Sequence, residues 1–276
     1  MPVTDTRAFY RPLTRELVAL LRKLPPDAWN RPTIAGSWLV RDVVAHLVDT
    51  TMRRLSFQRD GHPPLGPDPP PQTERDFARF INELNATWVT AARRISPRLL
   101  TDVYASVSAD LAAFVESLPL DAPALFAVSW AGEEGSVGWF DIGREFTEQW
   151  HHQMQVRDAV GAAPIAETEW LRAVLQIAIR ALPHAYRTTA ASTGTMVTIE
   201  ISGSGGGTWT LRRDPARWSM WHGAEPQATA RIVIDTDHAW KLLFNALSAQ
   251  DAARLIQAEG DRKLVEPFLL ARSVIV

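Results

Sequence analysis

The sequence contains no cysteine among its 276 residues. That removes disulfide frameworks, thiolate metal sites and a protein-borne thiol nucleophile together, so any sulfur chemistry has to use a sulfur from outside. An excess of either charge is also missing: 29 basic side chains against 31 acidic ones leave a formal net charge of −2. A nucleic-acid binder needs a basic surplus to neutralise phosphates, and a polybasic membrane patch needs the same, so neither partner is expected. No apolar run approaches the roughly 18 residues of a spanning helix, and Met1-Pro2-Val3-Thr4-Asp5 shows no charged-then-apolar leader pattern. The expectation is a cytoplasmic protein, monomer or homodimer, with small-molecule partners. There is no internal repeat and no Gly-x-Ser-x-Gly nucleophile elbow.

What is present is a well-patterned globular sequence, 46% apolar and long enough for two ordinary domains. Phe9, Leu13, Leu17, Leu20, Leu21 and Leu24 keep helical spacing until Pro25-Pro26 stops them, which predicts a first helix from about Thr6 to Leu24. A second helix starts near Leu39 and carries Val40, Val43, Val44, Leu47 and Val48, before a Pro-rich loop from His62 to Pro71. Phe77, Phe80, Ile81, Leu84, Trp88, Ala91, Ala92 and Ile95 form a third stripe, and Leu100, Val103, Tyr104, Val107, Leu111, Phe114, Val115 and Leu118 a fourth. A long helix from Trp139 to about Val160 closes at Gly161. Amphipathic helices of this length bury their stripes by bundling.

After one more helix around Leu171 to Leu182 the period changes. Val197, Ile199 and Ile201 alternate with Thr198, Glu200 and Ser202, which is strand spacing. Thr208 to Arg213, Trp218 to Trp221 and Ala228 to Asp235 read as further strands, and Asp237 to Leu247 and Leu264 to Leu270 as helices. The expected class is α+β: a four-helix bundle over residues 1–165 and a smaller α/β domain over 166–276 with a short, mostly antiparallel sheet. Gly203-Ser204-Gly205-Gly206-Gly207 has the composition of a phosphate loop, but a strand rather than a helix follows it, so a hairpin turn is expected. His222 and His238 stand alone and read as surface or capping residues.

One constellation offers chemistry. In Glu148-Gln149-Trp150-His151-His152, Glu148 and His152 are four apart and share a helix face, so they can grip one ion together. A carboxylate and an imidazole suit zinc or another divalent first-row metal. His46 on the second helix is the candidate third ligand, while His151 points about 100° away from His152. Two readings of that helix stand side by side. Trp139, Phe146, Trp150 and Met154 fall on one arc and Glu145, Glu148, His152 and Gln155 on the opposite one. The polar arc is either a solvated face or the wall of a polar cleft between helices. Trp38 and Trp150 are either bulky groups that limit water access to such a cleft or core anchors, and Trp150, on the apolar arc, reads as core.

The stretch Trp38-Leu39-Val40-Arg41-Asp42-Val43-Val44-Ala45-His46-Leu47 resembles the signature of the mycothiol-dependent maleylpyruvate isomerase N-terminal domain, one of the DinB-like metal-binding four-helix bundles. Glu148-Gln149-Trp150-His151-His152 and the residues after it to Gly161 look like the same family's second metal motif. The resemblance implies that His46, Glu148 and His152 are metal ligands, with water completing the shell. It implies a divalent metal such as zinc, mycothiol or a similar thiol as cosubstrate, and a small electrophile as substrate. The reaction is then an isomerisation or a thiol S-transfer. A metal-containing bundle that has kept the fold and binds a small molecule without catalysis is the alternative. The C-terminal half is similar in outline to sterol-carrier-like domains, with Gly260-Asp261 as a turn after a short helix. Two departures stand out. Leu39 occupies a position where the family often has Thr or Ser, and it cannot cap, so the helix is open to a different start. The family's C-terminal arginine has no unique counterpart, with Arg217, Arg231 and Arg262 all open.

Overall fold

The computed structural model describes residues 2–165 and 167–275. A short 3-10 turn at Arg7–Phe9 leads into α1 (Tyr10–Leu21), followed by α2 (Val40–Arg54), α3 (Glu74–Ala92), α4 (Pro97–Ser117) and α5 (Gly138–Val160). Then come α6 (Thr168–Ala178), the single turn α7 (Leu182–Ala185), β1 (Met196–Ser202), β2 (Gly207–Arg213), β3 (Trp218–His222) and β4 (Ala230–Asp235). The chain finishes with α8 (Thr236–Leu243), α9 (Ala249–Leu255), β5 (Gln257–Gly260) and α10 (Arg262–Leu270). Two compact units result. One holds Asp5–Leu125 and the part of α5 from Glu145 onward; the other holds Phe126–Arg144 and the chain from Glu167 onward. The division falls inside α5. Among the described residues no helix is long and apolar enough to cross a membrane.

In the helical unit, Leu17 and Leu21 of α1, Val40, Val43, Val44 and Leu47 of α2, Leu100 and Tyr104 of α4 and Val156 of α5 close one core. The spacing of these residues is the helical period read from the sequence. α2 is its centre, with every residue from Asp42 to Asp49 buried. The start of α2 answers the question posed by Leu39. The helix begins at Val40, and the carboxylate of Asp42 accepts the Leu39 backbone N–H at 3.1 Å, the return half of a capping box. Arg93 donates to both oxygens of Asp42 at 3.1 and 3.0 Å, so the missing half is replaced by an ion pair with an aspartate that is 1% exposed.

α3 corrects the sequence reading. Its large side chains Phe77, Phe80, Ile81, Leu84 and Trp88 are only half-buried, whereas Ala78, Asn85, Val89 and Ala92 are buried. Small residues set the line of closest approach, and the bulky ones spread over its flanks. Trp88 makes use of that position by donating its indole N–H to the Ala45 carbonyl of α2 at 2.8 Å.

The second unit carries a five-stranded mixed sheet in the order β3-β2-β1-β4-β5. β1 pairs β2 antiparallel and β4 parallel, while β2–β3 and β4–β5 are antiparallel. Val197, Ile199 and Ile201 are buried as their alternation predicts, and Thr198 is buried too, sharing a 3.1 Å hydrogen bond with Thr210. Ala239, Trp240, Leu242 and Leu243 of α8 are buried in the same unit. α7, α9 and β5 are additions to the sequence reading. β5 is fully exposed and reads Gln-Ala-Glu-Gly, so it has no apolar alternation to announce it; a polar edge strand is how sheets discourage further pairing. Gly260 is accordingly the last residue of β5, which lies between the short helix α9 and the turn, and Asp261 caps α10 by accepting from the Lys263 N–H at 2.9 Å.

The glycine cluster is a hairpin turn, as its setting implied: Gly203 and Gly205 have φ of +104° and +78°, and β1 and β2 pair directly across it. At Gly206 an added Cβ would lie 2.0 Å from the Ile201 carbonyl oxygen. Gly206→Ala is therefore expected to cost more than about 2 kcal/mol, while Gly66→Ala, which meets nothing within 4 Å, stays within about 0.5 kcal/mol of the parent. Urea denaturation followed by circular dichroism checks both, and equal midpoints would refute the turn's role.

Candidate metal centre

His46 projects from α2 and Glu148 and His152 from α5, the latter pair one helical turn apart. The side chains meet. Nε2 of His46 and Nε2 of His152 each lie 3.1 Å from the same oxygen, Oε1 of Glu148. The rings of the two histidines are 4.8 Å apart and edge-on. One potential ligand atom from each residue falls within 4.8 Å of the others, and among the described residues this is the group of its kind. Both imidazoles are buried, at 4 and 6% exposure, whereas the Glu148 side chain keeps 31% of its exposure. The trio is thus covered on its histidine side and open at its carboxylate.

The polar arc of α5 faces inward. Gln149, His151, His152, Gln153 and Gln155 are all buried, which rules out the solvated-face reading. Trp150, 1% exposed, is a core side chain. His151 packs its ring 4.1 Å from that of His152, but its Nδ1 is taken up by its own helix, 2.8 Å from the Thr147 carbonyl. Trp38 closes the other flank, its indole 4.8 Å from the His46 ring and 6.2 Å from, and stacked on, that of His152. The loop before it is tied down by Thr33, whose backbone N–H and hydroxyl both donate to the Trp38 carbonyl.

Oε1 of Gln155 lies 2.7 Å from Nδ1 of His152, and a carbonyl oxygen only accepts, so Nδ1 carries a proton. The other ring nitrogen then points at a carboxylate oxygen, another acceptor. Either a second proton or a cation has to stand between them. Burial pushes the His46 imidazole down, against the bond to Glu148, so this ring is neutral near pH 7. Burial alone would raise the Glu148 carboxyl. The charge of His152 and the hydrogen bonds from His152 and His46 outweigh it and hold Glu148 well below the usual carboxylate range. His151 is pushed down to about 3, first by burial and then by the neighbouring His152 charge.

Two imidazoles and one ionised carboxylate form a donor set suited to a divalent first-row cation. Bonds of roughly 2.0–2.2 Å place tetrahedral ligand atoms about 3.4 Å apart. The two nitrogen–oxygen separations of 3.1 Å are already near that value. Gln155 matches the outer partner that a ligating histidine needs on its second nitrogen. Its spacing of three from His152 placed it on the same arc, a signal the sequence held without showing its role.

The family profile of the mycothiol maleylpyruvate isomerase N-terminal domain matches residues 10–157 of this sequence. The chain belongs to that family. A crystal structure of the mycothiol-dependent maleylpyruvate isomerase superposes with a TM-score of 0.54 at 11% identity, covering 94% of this chain and 93% of that one. A histidine-to-alanine mutant of the isomerase gives 0.50 at 12% identity over the same shares. At such identities the likeness is one of fold. No curated protein matches the sequence.

The remaining candidates settle outside the trio. His222 is exposed and sets its ring edge-on to Trp209, 5.7 Å away. His238 lies in the first turn of α8, where Asp235 accepts its backbone N–H at 3.0 Å. Arg217, Arg231 and Arg262 are all exposed; Arg231 pairs with Glu200 and Arg262 with Glu266, and the geometry singles out none of them.

Beneath the trio runs a polar network that periodicity did not reveal. The Tyr104 hydroxyl donates to Oε1 of Gln149 at 3.1 Å, and Nε2 of Gln149 donates to Thr51 and Glu145, each at 3.2 Å. Gln149→Leu leaves buried partners unsatisfied and is expected to cost about 1–3 kcal/mol. Pairing it with Tyr104→Phe should recover part of that loss, because removing both partners is cheaper than removing one. A double-mutant cycle by denaturant unfolding measures the coupling, and strict additivity would show that the network carries none.

Proposed function

We propose that the helical unit of this family member binds one divalent metal ion, most simply zinc, through His46, Glu148 and His152, and that the site serves a thiol-dependent isomerase or S-transferase reaction. The observation that carries the reading is the shared approach of two imidazole nitrogens to one carboxylate oxygen at 3.1 Å, with the His152 Nδ1 proton already committed to Gln155. An ion held there would favour the thiolate of a low-molecular-weight thiol such as mycothiol over the thiol at neutral pH. A chain with no cysteine has no thiol of its own to compete for the ion.

The protein's part is to hold and to shield. His46 comes from a helix buried on all sides, and Gln155 sets the His152 ring by its bond to Nδ1. Trp38 covers both imidazoles, while the half-open Glu148 leaves the approach for a small thiol and a small electrophile. Three protein donors leave a tetrahedral ion one free position, which is the arrangement of reactive rather than purely structural sites. Membership of a family named for a mycothiol-dependent isomerase supports the same reading.

Purified protein reconstituted with zinc should hold one equivalent. His152→Ala should abolish tight binding, Gln155→Leu should weaken it about 10- to 100-fold, and His151→Ala should leave it intact. Elemental analysis and competition with a chromogenic chelator read all three. Loss of metal in His151→Ala with retention in His152→Ala would reverse the ligand assignment. The zinc-loaded protein should also accelerate addition of mycothiol to a small unsaturated carbonyl substrate, or its isomerisation, and His46→Ala should remove that acceleration. Stoichiometric metal with no thiol affinity and no turnover would instead assign the chain a non-catalytic binding role.

A further inference from the structure

The imidazoles of His46, His151 and His152 are all buried, yet their Nδ1 atoms meet different surroundings. Nδ1 of His151 lies 2.8 Å from the Thr147 carbonyl, one turn back on its own helix. Nδ1 of His152 lies 2.7 Å from Oε1 of Gln155. Nδ1 of His46 is buried too, and among the described residues no hydrogen-bond partner reaches it. The Trp38 ring, 4.8 Å from that of His46, covers the imidazole but offers a donor no more than a weak π-face.

On the inner side the two rings of the trio are alike. Nε2 of His46 and Nε2 of His152 each stand 3.1 Å from Oε1 of Glu148. What separates them is the far nitrogen. An imidazole that ligates through Nε2 turns its lone pair to the ion and carries its proton on Nδ1. For His152 that proton has its acceptor in Gln155, which fixes the tautomer, orients the ring and raises its basicity as a ligand. For His46 the same proton would be a buried donor with no protein acceptor, which costs its desolvation without return.

We infer, resting on the metal site proposed above, that the two histidines are unequal ligands: Glu148 and His152 hold the ion as the firm pair, and His46 is the weaker ligand, the one the ion gives up first. The firm pair sits one turn apart on α5, while the weaker ligand comes from α2.

Zinc affinity of the full chain, read by competition with a chromogenic chelator, tests the inequality. His152→Ala should weaken zinc binding at least about tenfold more than His46→Ala, the low end of what an outer partner is worth to a ligating histidine. In a Gln155→Leu background the cost of His152→Ala should shrink by the factor that Gln155→Leu alone costs, whereas the cost of His46→Ala should stay the same. Circular dichroism checks the fold of each variant. A second measurement needs no variant: in NMR spectra of the zinc-loaded parent, the His152 Nδ1–H should resonate as a hydrogen-bonded, slowly exchanging proton, and the His46 Nδ1–H should not. Equal losses in the two alanine variants, or a hydrogen-bonded Nδ1–H on both rings, would overturn the inequality and leave the metal site standing. A parent that takes up no zinc would remove the site itself, and the ranking of its ligands with it.

Discussion

Two imidazole nitrogens from different helices meet one carboxylate oxygen at 3.1 Å inside a protein core, and the rest of the helical unit is arranged around keeping them there. Such a cluster is expensive. Burial disfavours charge on His46, yet Glu148 remains ionised because its neighbours supply the compensating hydrogen bonds and charge. The balance holds only if the side chains cannot swing out to water. Their helices must therefore be fixed in rotation as well as in position, since a turn of one residue sweeps a side chain through about 100°.

Several contacts provide that fixing. On α2, the Asp42 carboxylate locks the first turn and Arg93 locks Asp42, which sets the phase of the helix four residues before His46. Trp88 of α3 donates into the backbone at Ala45, next to the ligand itself. On α5, the network from Tyr104 through Gln149 to Thr51 and Glu145 pins the residue after Glu148 to both α4 and α2. Each of these bonds is worth little alone in net terms. Together they make one rotational setting of the two helices much better than its neighbours, and a polar cluster tolerates only that setting.

The same physics explains what the sequence could and could not show. The 3.6-residue period located α1, α2, α3, α4 and α5, because each has a face that must be buried. Alternation located β1 in the same way. Periodicity reports which residues share an arc, and burial of every arc erases the distinction on which it relies. The polar arc of α5 was therefore ambiguous until Gln149, His152 and Gln155 were seen to be covered. On α3 the stripe took in Ala92 but left out Ala78, Asn85 and Val89, because large side chains dominate any count of hydrophobicity while smaller ones define the contact line. β5 had no apolar residue pattern to find. The pairing of His46 with Glu148, 102 positions away, lay beyond any local rule: His46 was a candidate third ligand from the residues, and resemblance to the family's two motifs implied the same set.

On the proposed reading, the trio would serve reaction rather than scaffolding. A structural metal is enclosed by four protein donors, and its binding energy goes into the fold. Leu17, Val43, Val44, Leu47 and Tyr104 pack one core, and the half-cap and ion pair at Asp42 order α2. The histidine flank is sealed by Trp38, and the partly open side is that of the carboxylate, the one donor that can change its mode of contact without leaving the cluster. On the proposed reading, three protein donors would not fill the shell of a divalent cation and would leave part of its affinity to an outside ligand. In a chain devoid of cysteine, that ligand can be a thiol without competition from the protein.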